Sequence, residues 1–122
     1  MAQLQKKILD GHVETFLLSI LEEGPSYGYA ITKDLRERSD GLLKLGEGTI
    51  YPVLYRMEDR ELIEAQWREG KNKRQRKYYR ITPKGRKLLA ENYSQWEMLV
   101  LVMKKLCEGG PQPEHRTLWK GA

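Results

Sequence analysis

A mainly α-helical fold with one small β-hairpin and a long C-terminal helix is predicted by three features of this 122-residue sequence. Apolar residues recur at three and four residues through several stretches, which is the helical period. Two short segments alternate with period two on either side of a polar turn, the mark of a hairpin. From Thr82-Pro83 to Cys107 a heptad spacing follows. A chain of this length has room for one domain with one modest core.

The first helix is expected over Leu4–Glu22, where Leu9, Val13, Phe16, Leu17, Ile20 and Leu21 form one stripe. Gly24-Pro25 stops it, and Ser26 offers an N-cap to a second helix over Tyr27–Arg38 with Tyr27, Ile31 and Leu35 on one face. Gly28 lowers helix propensity there, and close approach by another backbone is a reason for it. After the turn Ser39-Asp40-Gly41, a third helix runs from about Gly46 to Arg60, weakly capped by Gly46 and with Glu47 in its first turn. Ile50, Val53, Leu54 and Met57 share its inner face. Gly48, Pro52, Tyr55 and Arg56 then point away, with Tyr51 on the flank. Pro52 removes one intrahelical hydrogen bond early in the helix, where a bend is absorbed.

Ile63, Ala65 and Trp67 alternate, as do Tyr79 and Ile81, with Glu69-Gly70-Lys71-Asn72 as turn material between the strands. Thr82 caps the last helix, and Pro83 suits its first position. In that helix Leu89, Tyr93, Trp96, Val100, Met103 and Cys107 make a heptad seam, widened by Leu88, Leu99, Val102 and Leu106. One face is expected to cover the chain's own core and the other to meet a second copy, giving a homodimer. The expected organisation is a winged-helix unit over 1–82, a dimerisation helix over 83–107 and a flexible tail over 108–122. Leu118 and Trp119 are the apolar residues available to tether that tail.

Composition narrows the function. Hydrophobic residues make up 39% and charged residues 32%, the balance of a folded chain. The most apolar segment, Met98–Met103, is too short to span a bilayer, and MAQLQKKILDGH breaks into charges before a signal-peptide core forms. A cytoplasmic protein is expected. Cys107 is the sole cysteine, expected as a buried thiol, and His12 and His115 stand alone, so no disulfide, metal site or cofactor is expected. The net charge of +5 is unevenly spread. Between Gln66 and Lys87 ten positive residues face the single acid Glu69, a segment of +9 that leaves −4 for the rest. Such a stripe is the footprint of a polyanion partner.

Three helices and a two-stranded wing make a winged helix-turn-helix, with the third helix as the reader. Tyr51, Tyr55 and Arg56 offer hydrogen-bonding or stacking groups to bases, with Pro52 among them on the outward face. The Thr49 and Tyr51 hydroxyls suit phosphate oxygens. Ser26, Tyr27 and Lys33 of the second helix complete the expected contacts to double-stranded DNA. Lys71, Lys73, Arg74 and Arg76 of the wing lie along a neighbouring backbone or enter a minor groove. Trp96, with Val100 and Met103, is a candidate pocket for a flat apolar effector at the dimer seam. A protein-interaction adaptor is the alternative, but it calls for an acidic or apolar wing. An enzyme is not expected, because no nucleophile–base pair or phosphate-cradling loop is present.

Gly48-Thr49-Ile50-Tyr51-Pro52, Leu62-Ile63 and Arg76-Lys77-Tyr78-Tyr79-Arg80-Ile81-Thr82, with Tyr27-Gly28-Tyr29, resemble the PadR family of bacterial transcription regulators over about residues 10 to 90. The resemblance implies a winged helix that dimerises through its C-terminal helix and usually represses transcription. The single helix after the wing resembles the short subgroup, whose drug-sensing members hold flat aromatic compounds between tryptophans; Trp96 falls where such a residue lies. Two positions depart from the family. Gly46 stands where serine or asparagine is common, and Glu47 where proline is common, so the cap is weaker and a negative charge sits near the expected DNA face.

Overall fold

The computed structural model describes residues 4–110, 114–116 and 119. Helices α1 (Lys6–Asp10) and α2 (Val13–Glu22) lead to strand β1 (Ser26–Tyr27), helix α3 (Gly28–Arg38) and helix α4 (Glu47–Asp59). Strands β2 (Ile63–Glu69) and β3 (Gln75–Ile81) flank a 3-10 turn at Lys71–Lys73 and precede the long helix α5 (Pro83–Cys107). The architecture is the predicted one, mainly helical with a small antiparallel sheet in a winged-helix arrangement.

Two elements differ from expectation. The helix expected over Leu4–Glu22 is two helices, because the backbone leaves helical geometry at His12 (φ −126°, ψ −1°) directly after Gly11. Glycine is the weakest helix former of that stretch, and it marks the break. Ser26 does not cap a helix. It lies in β1, where Ser26 and Tyr27 pair with Tyr79 and Tyr78, so the sheet has three strands in the order β1-β3-β2. Tyr27 takes the N-cap position of α3 in extended geometry, without a side-chain cap hydrogen bond.

The core lies where α2, α3 and α4 converge on the sheet. Leu17, Leu18, Ile31, Ile50, Leu54, Met57 and Tyr79 are fully excluded from solvent, joined by Ile63 and Ile81 of the strands. The inner face of α4 is thus the predicted one, and its burial fixes which residues face outward. Gly28 has its role in the same packing: an added Cβ would overlap the Tyr51 hydroxyl. The close neighbour is a side chain of α4 rather than a backbone.

The junction into α5 is as the sequence indicates. The Thr82 hydroxyl accepts the Gly85 N–H at 3.0 Å and donates to the Glu61 carbonyl at 2.8 Å. Gly85 lies so close to the Leu62 carbonyl and the Ile81 side chain that a Cβ there would collide with both. Gly85→Ala is therefore expected to destabilise the fold by about 1–3 kcal/mol, because backbone yields less readily than a side chain. A thermal melt reads this directly, and an unchanged Tm would contradict the close packing. Of the tail expected over 108–122, residues 111–113, 117–118 and 120–122 lie outside the described residues, Leu118 among them; Trp119 is exposed.

Candidate nucleic-acid interface

One face of the sheet passes from the core into solvent. Along it Ile63 pairs with Ile81, Ala65 with Tyr79, and Trp67 with Lys77. Ile63 is buried, Ala65 half-buried and Trp67 63% exposed. The alternation expected from the sequence is present as register, but the hairpin outruns the helices beneath it, so Trp67 is a surface residue. Where the two part, a cleft of about 670 Å³ opens between α4, the β1–α3 junction and the wing.

Tyr51 and Tyr55, one turn apart on α4, stack at 6.0 Å between ring centres. Lys77 bridges wing and helix: its Nζ lies 5.2 Å from the centre of the Tyr55 ring and 3.1 Å from the Glu58 carboxylate. The Tyr51 hydroxyl donates to the Glu47 carboxylate at 3.3 Å. Burial, reinforced by the Glu47 charge, raises the Tyr51 pKa, which keeps that hydroxyl a donor. The Arg76 guanidinium stands 4.4 Å from the Tyr27 ring centre, and that of Arg68 5.4 Å from Tyr78. Cation–aromatic contacts of this kind contribute about 0.5–1 kcal/mol each at exposed sites, so they hold charges in place at little cost.

Ion pairing sorts the basic run. Lys77 is paired with Glu58, and Arg80 with Glu64, its cross-strand partner. Among the described residues, no carboxylate lies within ion-pair distance of Lys71, Lys73, Arg74 or Arg76. These four surround the wing tip, which the Gly70 N–H closes on the Arg74 carbonyl at 2.7 Å. Asn72 and Lys73 adopt left-handed backbone geometry there, with φ of 61° and 58°.

The cleft brings together Tyr27, Tyr51, Tyr55, Arg74 and Arg76 of the predicted contacts. Thr49, Pro52 and Arg56 are exposed on α4 outside it, and Lys71 and Lys73 crown the wing. Ser26 is held in the sheet opposite Tyr79, and Lys33 on α3 lies 4.0 Å from Glu37; neither joins the cleft. Glu47 lines it, close to where the sequence places its charge; Tyr29, Trp67, Gln75 and Lys77 also line it and were not among the predicted contacts. The alternation of the strands puts Trp67 and Lys77 on one face. How far the hairpin projects sets their exposure, and no local pattern encodes that.

Tyr79 closes the floor of the cleft. Its buried hydroxyl finds no hydrogen-bond partner among the described residues, and burial pushes its pKa far above the usual phenol value. The folded state therefore holds this proton more tightly than the unfolded chain. The resulting stability is fully present below about pH 10 and is lost as the pH climbs beyond it. The Tm of the wild type should accordingly fall faster above about pH 10 than that of Tyr79→Phe, which has no phenol to ionise there. Parallel Tm curves would contradict the assignment.

A second surface lies on α5. Leu89, expected in the heptad seam, is buried in the chain's own core at the edge of this surface. Tyr93, Trp96, Leu99, Val102, Met103 and Leu106 are exposed, Leu106 to 76%, as is Cys107; Val100 is half-buried. A groove of about 760 Å³ runs between α5 and the α1–α2 segment, lined by Ile8, His12, Phe16, Tyr93, Trp96 and Leu99 among others. Trp96 lies in it against Tyr93, with 5.6 Å between ring centres, whereas Val100 and Met103 do not line it. Among the described residues no cluster of His, Cys, Asp or Glu is able to hold a metal ion, and no helix is long and apolar enough to cross a membrane.

A winged helix in which α4 and a basic hairpin frame one cleft defines the class: a DNA-binding module of the helix-turn-helix type. Residues 17–91 match the transcriptional regulator PadR-like family, and the chain belongs to it. Its fold is similar to that of a transcriptional regulator from Clostridium thermocellum, with a TM-score of 0.77 and 36% identity over 84% of this chain and 97% of that one. A PadR-like transcriptional regulator from Bacillus cereus gives a TM-score of 0.75 and 33% identity over 86% of this chain and all of that one. The transcriptional regulator YqjI of Escherichia coli is 30% identical over 99 residues, which are 81% of this chain and 46% of that protein.

Proposed function

We propose that two copies of this chain bind a pseudo-palindromic DNA site and repress transcription from it. The observation that carries this reading is the cleft between α4 and the wing, where Arg74 and Arg76, with no carboxylate partner among the described residues, stand beside Tyr51 and Tyr55 of α4. Phosphate neutralisation by Lys71, Lys73, Arg74 and Arg76 supplies affinity, and Tyr51, Tyr55 and Arg56 supply selectivity. The exposed apolar half of α5 supports pairing of two copies, which sets two α4 helices about 34 Å apart on successive major grooves. The exposed wing cations argue against an adaptor that grips a protein partner.

Fluorescence anisotropy with the duplex upstream of the protein's own gene tests this. Binding should be tighter than to random duplex and should fall steeply with salt; equal, salt-insensitive binding to both would overturn the reading. A flat aromatic effector seated against Trp96 and its counterpart in the second copy is proposed to release the DNA. Planar aromatic dyes should quench tryptophan emission in the wild type and lose most of that effect in Trp96→Ala. Equal quenching in both would reject the pocket, since Trp67 and Trp119 remain in the variant.

A further inference from the structure

We propose that Glu47 is a base-reading residue whose carboxylate accepts a hydrogen bond from the exocyclic amine of a cytosine in the major groove. This rests on the reading of α4 as the helix that enters DNA. Glu47 is the first residue of α4, is exposed, and lines the cleft beside Tyr51 and Tyr55. The N-terminal residues of a reading helix are the ones that reach base edges.

Its place sets it apart. Glu14, Glu23, Glu37, Glu58 and Glu64 are each paired with an arginine or lysine, and Glu22, Glu61 and Glu69, which are not, lie outside the cleft. Glu47 shares a cleft with Arg74, Arg76 and Lys77, yet among the described residues no cation lies within ion-pair distance of it. Its side-chain partner is the Tyr51 hydroxyl, four residues on, which orients the carboxylate without neutralising it. A first-turn acid is favoured by the helix dipole, but that gain does not require a place on the surface that meets phosphates. There a free carboxylate opposes binding unless the DNA offers it a donor.

The major groove offers few. Guanine and thymine present acceptors at the positions a side chain reaches, and adenine presents its amine beside the N7 acceptor. Cytosine presents its amine as a donor without a neighbouring acceptor of its own, which suits a group that only accepts. Gly48, next in the chain, is exposed with open space around its α-carbon, so the first turn is free to come close to the base edges.

The test uses the full chain and its variants Glu47→Ala and Glu47→Gln, with dissociation constants measured at fixed salt on a selected site and its single-base variants. The wild type should prefer cytosine at one position of each half-site by roughly tenfold. Glu47→Ala should reduce that preference to within about twofold while binding random duplex more tightly. Glu47→Gln, which carries donor and acceptor together, should move the preference towards adenine. If both variants gain affinity for every duplex alike and keep the wild-type preferences, Glu47 only repels phosphate and the proposal is overturned. If the wild type selects no site at all, the DNA-reading role of α4 fails first and takes this assignment with it.

Discussion

Replacing Lys73 and Arg74 together by alanine is expected to weaken binding to every DNA duplex by roughly a hundredfold or more at moderate salt. Both residues stand at the wing tip without an internal carboxylate, so their charge is available to phosphates. The proposed dimer would carry the pair twice, and each lost phosphate contact makes the dependence of log K on log salt shallower by about one unit. The loss should be uniform across sequences, because phosphate contacts position the protein and carry no base information. The same double change at Lys77 and Arg80 should have a much smaller effect on affinity, since Glu58 and Glu64 already compensate those charges. Anisotropy titrations at several salt concentrations separate the two cases. An unchanged salt slope in the Lys73/Arg74 variant would mean that the wing does not touch DNA.

Gly48→Ala is expected to make the protein more stable and a poorer DNA binder at once. Gly28 and Gly85 are each required by a neighbour that a Cβ would strike, but a Cβ at Gly48 meets nothing within 4 Å. Gly48 lies within α4, where glycine costs roughly 0.5–1 kcal/mol relative to alanine. The fold alone therefore favours alanine, so on the proposed docking of α4 the cost of a side chain comes from the DNA. A methyl group there would hold the first turn of α4 off the groove floor and lengthen every contact made by Glu47 and Tyr51. A higher Tm together with a tenfold or greater loss of affinity is the expected pair of results. Higher Tm with unchanged affinity would place the DNA elsewhere.

How much of this was legible in the sequence follows from the range of each signal. Ile50, Val53, Leu54 and Met57 repeat at helical spacing, and their burial alone determines that Tyr55 and Arg56 face outward. Thr82-Pro83 is a local cap, and the structure keeps it with the hydroxyl bonded as expected. Strand β1 was not legible, because two residues have no period and their partners Tyr78 and Tyr79 lie some fifty residues along the chain. The same holds for Leu89. Its heptad position says that it is apolar and inward, but not whether the surface it meets belongs to its own chain, and here it does. In the wing, composition identified the positive charge, whereas only the pairing of Lys77 with Glu58 and of Arg80 with Glu64 identifies which charges are left for a partner. Glu47 could be read as a helix-start acid; its lack of a cation beside three of them needed the tertiary structure.

In the proposed complex α4 reads bases and two copies read together. Selection of bound duplexes from a random pool, using the purified full chain, tests it most directly. The expected outcome is an inverted repeat whose half-site centres lie about one helical turn apart, near 34 Å. Bound DNA with no common motif would mean that α4 does not read bases, and a motif of one half-site alone that two copies do not read together.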